Sequence, residues 1–163
     1  MSTGPIEKPA LASDPDNFAI RAVSPADFDQ WLLLWEGYQR FYKVQIARGV
    51  TDRTWSRLLD NSEPMACAVA ASDSHLVGLV HYIFHRSTWT EGDYCYLQDL
   101  FVEKEIRRGG QGRRLIQYVY DAARKHGASR VYWLTHETNE DAMNLYDQVA
   151  ERSGFIQYRR SML

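Results

Sequence analysis

Arg107-Arg108-Gly109-Gly110-Gln111-Gly112-Arg113 is the stretch whose residue types and spacing point most directly to chemistry. Its glycines let backbone N–H groups converge with no side chains in the way. A helix beginning there adds the positive end of its dipole, and together these make a cradle for phosphate. A tight turn without a ligand is the alternative. Two kinds of phosphate site are excluded by spacing. The loop lacks the Gly-Lys-Ser/Thr ending of a P-loop, and Gly110-Gln111-Gly112 leads to Leu115 where a dinucleotide-binding Gly-x-Gly-x-x-Gly needs glycine. Arg108, Arg113 and Arg114 put positive charge where the helix dipole disfavours it. That placement suits a bound anion better than a solvated basic helix start.

The flanking elements can be read from pattern. Tyr94 to Val102 is aromatic and β-branched and is expected to be a strand. Leu115, Val119, Ala122 and Ala123 mark one face of a helix that ends at Gly127. Upstream, Phe18 to Val23 is a short strand, and Ser24-Pro25 open a helix running to about Val44, with Phe28, Trp31, Leu32, Trp35, Gln39 and Tyr42 as its aromatic stripe. Thr51 or Asp52 is expected to cap a shorter helix through Leu59. Met65 to Ala71 and Leu76 to His85 are strands joined by Ser72-Asp73-Ser74-His75. Downstream come a strand from Arg130 to Thr135, a helix from Asn139 to Val149, and a last strand from Phe155 to Arg160. The order β-α-α-β-β-β-α-β-α-β describes a single layered α/β domain.

The chain has 163 residues, room for one sizeable core and no second catalytic domain. Its composition, 45% hydrophobic and 25% charged, is that of a soluble globular protein, and a net charge of −2 gives no broad attraction to nucleic acid. No apolar run approaches the ~18–20 residues that cross a membrane. The first 17 residues, rich in Pro, Ser and Asp, lack the layout of a signal peptide and are expected to be a disordered tail on a cytoplasmic protein. Cys67 and Cys95 fall inside strands and are expected to be buried free thiols. His81 and His85 lie four apart on a strand, about 13 Å at ~3.3 Å per residue, too far to share a metal, so no metal site is expected.

Arg107-x-x-Gly110-x-Gly112 resembles the pyrophosphate loop of the Gcn5-related N-acetyltransferases (GNAT), which bind acetyl-coenzyme A. Tyr96-Leu97-Gln98-Asp99-Leu100-Phe101-Val102 is similar to the strand motif of the diamine acetyltransferases and of the yeast histone and polyamine acetyltransferases. Thr138-Asn139-Glu140 followed by Asn144-Leu145-Tyr146 matches their Asn…Tyr segment, so the resemblance spans roughly Leu76 to Arg160.

The resemblance implies the GNAT fold, a mixed and mainly antiparallel sheet flanked by helices and splayed between its fourth and fifth strands. It implies acetyl-coenzyme A held by Arg107, Arg108, Gly109, Gly110, Gln111, Gly112 and Arg113, by the backbone of Leu100, Phe101 and Val102, and by Asn139 and Tyr146. The backbone N–H of Leu100 is the implied oxyanion donor and the Tyr146 hydroxyl the implied acid for the departing thiolate; without the family, Tyr146 could equally be core. Trp35, Glu36, Tyr38 and Tyr42 fall where relatives cover the acceptor site, and His81 and Gln98 complete the expected substrate-binding set. Where diamine acetyltransferases carry Glu-Asp this chain has Gln98-Asp99, which removes one candidate base and leaves Asp99, Glu36 or His81. The activity implied is acetyl transfer to a primary amine of a small amine, amino acid or polyamine. A non-catalytic acyl-coenzyme A-binding module is the competing reading, which Tyr146 opposes and Gln98 favours. The short aromatic last strand implies a homodimer, since C-terminal strands of the yeast relatives meet at a subunit interface.

Overall fold

The structure is a computed structural model that describes residues 18–72, 75–107 and 109–162. The tail expected over residues 1–17 lies outside the described residues, as do Asp73 and Ser74 of the expected hairpin loop. Five strands form one sheet in the order β1 (Ala19–Ala22), β2 (Met65–Ser72), β3 (His75–His85), β4 (Tyr94–Val102) and β5 (Arg130–Tyr132). Neighbours from β1 to β4 are antiparallel, and β5 runs parallel to β4.

Helices cover both faces because the strands alternate their apolar residues between two cores. On one face Ala68, Val80, Tyr82, Cys95 and Leu97 pack with Leu115, Ile116, Val119 and Ala123 of α3 (Gln111–His126). On the other, Cys67, Val69, Leu76 and Leu79 pack with Trp31, Leu34 and Trp35 of α1 (Phe28–Tyr42) and with Leu58 of α2 (Arg48–Leu58). The start of α1 is secured from β1. Asp27 accepts two bonds from Arg21, at 2.7 and 2.8 Å, and one each from the Ser24 N–H and hydroxyl. Lys43, in the left-handed region, ends α1 by turning its N–H back to Arg40. The fourth helix, α4 (Glu140–Val149), follows β5.

Several elements differ from expectation, among them α1, which starts at Phe28 after a 3-10 turn over Pro25–Asp27. Helix α2 begins at Arg48, a turn before Thr51, because Val50 and Thr51 N–H groups already find the Ala47 carbonyl. Strand β5 stops at Tyr132 instead of Thr135, since its partner β4 diverges from it there. Phe155 to Arg160 forms no strand and is exposed throughout. Its aromatic pattern suits a strand, yet no edge among the described residues pairs with it. Cys67 and Cys95 are buried free thiols, with burial pushing the pKa of Cys95 up to about 12. Among the described residues no helix is long and apolar enough to cross a membrane, and no group of acidic, His or Cys residues could hold a metal.

Candidate functional site

Strands β4 and β5 part company after three residues. Tyr94, Cys95 and Tyr96 pair with Arg130, Val131 and Tyr132, whereas β4 continues to Val102 with β3 on one side and no described strand on the other. The opening expected between the fourth and fifth strands is therefore present. A bulge sharpens it. His81 pairs with Asp99 and Tyr82 with Leu97, so Gln98 is an extra residue in β4 without a partner on β3. Before the bulge, Asp93 turns its carbonyl toward the β5 side; after it, Glu103 N–H bonds Val77 on the β3 side. Backbone groups alternate along a strand, so Leu100 and Val102 direct their N–H groups to the open edge. Phe101 faces α1, where any side chain at Gly37 would strike its ring at 2.8 Å. The same bulge turns Asp99 toward α1 while Leu97 faces α3.

At one end of this opening lies the glycine loop. Gly110 caps α3 with φ of 84°, a conformation that side chains resist, and offers no side-chain acceptor to the first N–H groups of the helix. A β-carbon at Gly112 would meet Leu145 of α4 at 3.3 Å, so glycine allows the two helices to close on each other. Arg113 reinforces that contact by bonding Gln148 at 2.5 Å. Arg107 is turned away from the loop. Its Nε donates to the Val102 carbonyl at 2.9 Å, and its guanidinium lies over the rings of Phe41 and Phe101. Gln111 is buried, and neither atom of its amide has a partner among the described residues. Gly109 packs directly on that amide. Arg108 lies outside the described residues.

Helix α4 supplies the far wall. Burial, with Tyr42 nearby, pushes the Tyr146 hydroxyl up to about 12, so it holds its proton at any physiological pH. Its ring meets Trp133 edge to face. Asn139, at the N-terminus of α4, bonds the Tyr42 hydroxyl and donates to Thr135 at 3.3 Å. The end of α1 and the start of α4 therefore converge over the opening.

Between them sits Asp99, a buried carboxylate surrounded by hydroxyls. Tyr38 lies beside it, and burial followed by the charge of Asp99 raises the Tyr38 hydroxyl well above its usual range. Burial and the same charge raise Tyr42 and Tyr96. Asp99 also lies 3.0 Å from His81 Nδ1. Trp35 is buried behind this cup, stacked on Tyr38 with its ring against the edge of His81. Glu36 is carried to another side of α1, a groove toward α2 shared with Gln39, Arg40 and Thr51. Gln98 is exposed at the bulge. Of the three carboxylate or imidazole candidates for a base, only Asp99 thus stands at the junction of α1, α4 and the β4 opening. Two contributors escaped sequence reasoning. Tyr96 reaches the cup and stacks on Tyr132 at 5.0 Å across the strand pair, while Trp31 donates to His81 from a helix fifty residues away. Period-two alternation places Tyr96 on a strand face, but no local signal tells which face carries the site.

Such an arrangement can take a proton from a cation at Asp99, give a hydrogen bond from Tyr146, and lay an extended chain along β4 with an anion at α3. Comparisons with known proteins bear on the family and the fold. The acetyltransferase (GNAT) family model matches residues 30–150. The D-amino-acid N-acetyltransferase of Saccharomyces cerevisiae is 32% identical over 148 residues, covering 90% of this chain and 92% of its own. The thialysine N-epsilon-acetyltransferase of Caenorhabditis elegans is 26% identical over 133 residues, covering 82% of each. Among solved structures, the ribosomal-protein-alanine N-acetyltransferase of Brucella melitensis biovar Abortus 2308 superposes with a TM-score of 0.74 at 20% identity, over 89% of this chain and 99% of its own. That last likeness concerns the fold alone. With the family model spanning most of the chain and the splayed sheet in place, this protein belongs to the GNAT acetyltransferase family and is an N-acetyltransferase.

Proposed function

We propose that the protein acetylates the primary amine of a small amine or amino acid, with acetyl-coenzyme A as the acetyl donor. The observation that carries this reading is the free edge of β4, which presents Leu100 and Val102 one residue beyond a buried carboxylate. The residues present fit the donor. The pantetheine arm is an extended chain with amide groups, the kind of ligand that adds to an exposed strand edge. N–H groups of Gln111, Gly112 and Arg113 in the first turn of α3 suit a pyrophosphate, and the closeness of Gly112 to Leu145 explains why a larger residue is not accommodated there. When bound, acetyl-coenzyme A supplies an acetyl group activated as a thioester.

The chain's own groups do the rest. Asp99 receives the proton that an ammonium must lose before it can attack. Tyr38, Tyr42 and Tyr96 hold that carboxylate among hydroxyls and offer ring faces to a cation. The Leu100 N–H is a fixed donor for charge developing on the acyl oxygen. Tyr146 keeps its proton and donates a hydrogen bond on the sulfur side, and Asn139 orients Tyr42.

A single buried carboxylate matches one ammonium, which favours a small amine or amino acid over a polyamine with several charges, and favours either over a protein lysine. The yeast relative, a D-amino-acid N-acetyltransferase, and the worm relative, a thialysine N-epsilon-acetyltransferase, support that class. Two reduced, buried cysteines suit the cytoplasm. A homodimer is part of the same reading. Phe155, Ile156 and Tyr158 stand exposed without a partner strand, and a second copy can supply one. Incubation with acetyl-coenzyme A and a panel of amines, reading free thiol, tests the function. Amine-dependent thiol release supports it, and release no faster than buffer across the panel refutes it.

A further inference from the structure

The acceptor carboxylate is backed by a hydrogen-bonded series that runs through the sheet into α1. Trp31 Nε1 donates to His81 Nε2 at 3.0 Å, and His81 Nδ1 lies 3.0 Å from Asp99 Oδ2. All three residues are closed off from solvent, with exposures of 0% for Trp31, 2% for His81 and 7% for Asp99. An indole N–H can only donate. The His81 nitrogen facing it must therefore be bare, which puts the ring proton on Nδ1 and aims it at Asp99. An imidazolium would carry a second proton on Nε2, pointed at another donor. Trp31 thus confines His81 to one neutral tautomer. In that state His81 is neither a base nor a proton relay, since its only acceptor atom is taken.

We propose that Trp31 and His81 are positioning residues that hold Asp99, as a hydrogen-bond acceptor of fixed orientation, toward the acceptor amine. This rests on the reading of Asp99 as the proton acceptor. The groups facing Asp99 are Tyr38 and Tyr42 from α1, Cys67 from β2, His81 from β3 and Tyr96 on its own strand. None of these brings a positive charge in the His81 state described, so the carboxylate depends on the hydrogen bond from His81. Removing that bond disfavours the charged form.

The inference makes two kinds of measurement informative. ¹⁵N NMR of the His81 ring in the intact protein at neutral pH should show Nδ1 protonated and Nε2 bare, with that tautomer no longer the sole one in Trp31→Phe. In turnover, His81→Leu should lower kcat about tenfold or more and move the acidic limb of the kcat/KM profile to higher pH, with coenzyme A affinity unchanged. His81→Asn, whose amide N–H stands near the place of Nδ1–H, should recover most of both. A wild-type His81 that carries its proton on Nε2, or protons on both ring nitrogens at neutral pH, overturns the proposal. So does a folded His81→Leu with a normal limb and kcat, or a loss that Asn does not repair and that leaves the limb in place, which is the signature of packing alone. If the tautomer is as described but no amine is acetylated by the wild type, the functional reading has failed and the series is only a satisfied buried network.

Discussion

Replacing Tyr146 with Phe removes one hydroxyl and keeps the ring against Trp133. The structure sets the size of the effect. With its pKa pushed up to about 12, Tyr146 is a much weaker acid than a thiol, whose pKa is about 8.5. Full transfer of its proton to a departing thiolate would run uphill by roughly 3.5 in pKa, or ~5 kcal/mol. In the proposed reaction Tyr146 is therefore expected to donate a hydrogen bond to the leaving sulfur rather than surrender its proton. A hydrogen bond to a charged partner is worth ~1.5–3 kcal/mol, so Tyr146→Phe should lower kcat by about 10- to 100-fold. Coenzyme A affinity should hardly change. Stability should fall by at most ~1 kcal/mol, a drop in Tm of about 2–4 °C for a domain of this size. Steady-state kinetics with the best amine, paired with calorimetry and melting, supply the readouts. The variant should also keep the alkaline behaviour of the wild type below about pH 10, because Tyr146 is still protonated there. A folded variant with normal kcat would remove Tyr146 from the chemistry. A loss of 10⁴ or more would refute the weak-acid argument and make Tyr146 a true general acid.

Other perturbations follow from the same geometry. Gly110→Asp puts a side chain where φ is 84° and a negative charge at the α3 N-terminus, and should abolish coenzyme A binding by calorimetry; Gly110→Ala, carrying only the backbone strain of ~1–2 kcal/mol, should remain folded with weakened binding. Unchanged affinity in folded Gly110→Asp would leave the loop as a mere turn. Asp27 is held down to about 2, first by the bond from Arg21 and further by Ser24. Because its folded pKa is depressed, the stability it adds is present above about pH 4 and is lost as pH falls from 4 toward 2. Melting curves should show a loss of roughly 2 kcal/mol over that interval, absent in Asp27→Asn. Light scattering should find a dimer at micromolar concentration and a monomer after Phe155→Asp with Tyr158→Asp; a wild-type monomer at high micromolar concentration rejects the dimer.

Several parts of this protein are written locally. The glycines, the helical face of Leu115 and Val119, and the aromatic β4 stretch each follow from neighbours within a turn or a strand. Strand β4 accordingly spans Tyr94–Val102 as its composition indicates, and α3 ends at Gly127 where a left-handed residue is needed. The family motifs lie in these same local segments, which is why loop, strand and Asn…Tyr segment could be recognised together. What the tertiary structure decided depends on pairings between distant segments. A single unpaired residue, Gln98, reverses the facing of all that follows it in β4, and composition does not reveal where a strand adds one residue to its partner's count. That bulge turns Asp99 toward α1 with His81 bonded to it, while Glu36 lines a separate groove. The indole of Trp31 looks like any core aromatic on a helical stripe until the strand carrying His81 is laid against it. Phe155 to Arg160 shows the opposite limit. Its alternation suits a strand, but a strand exists only with a partner edge, and none of the described residues supplies one.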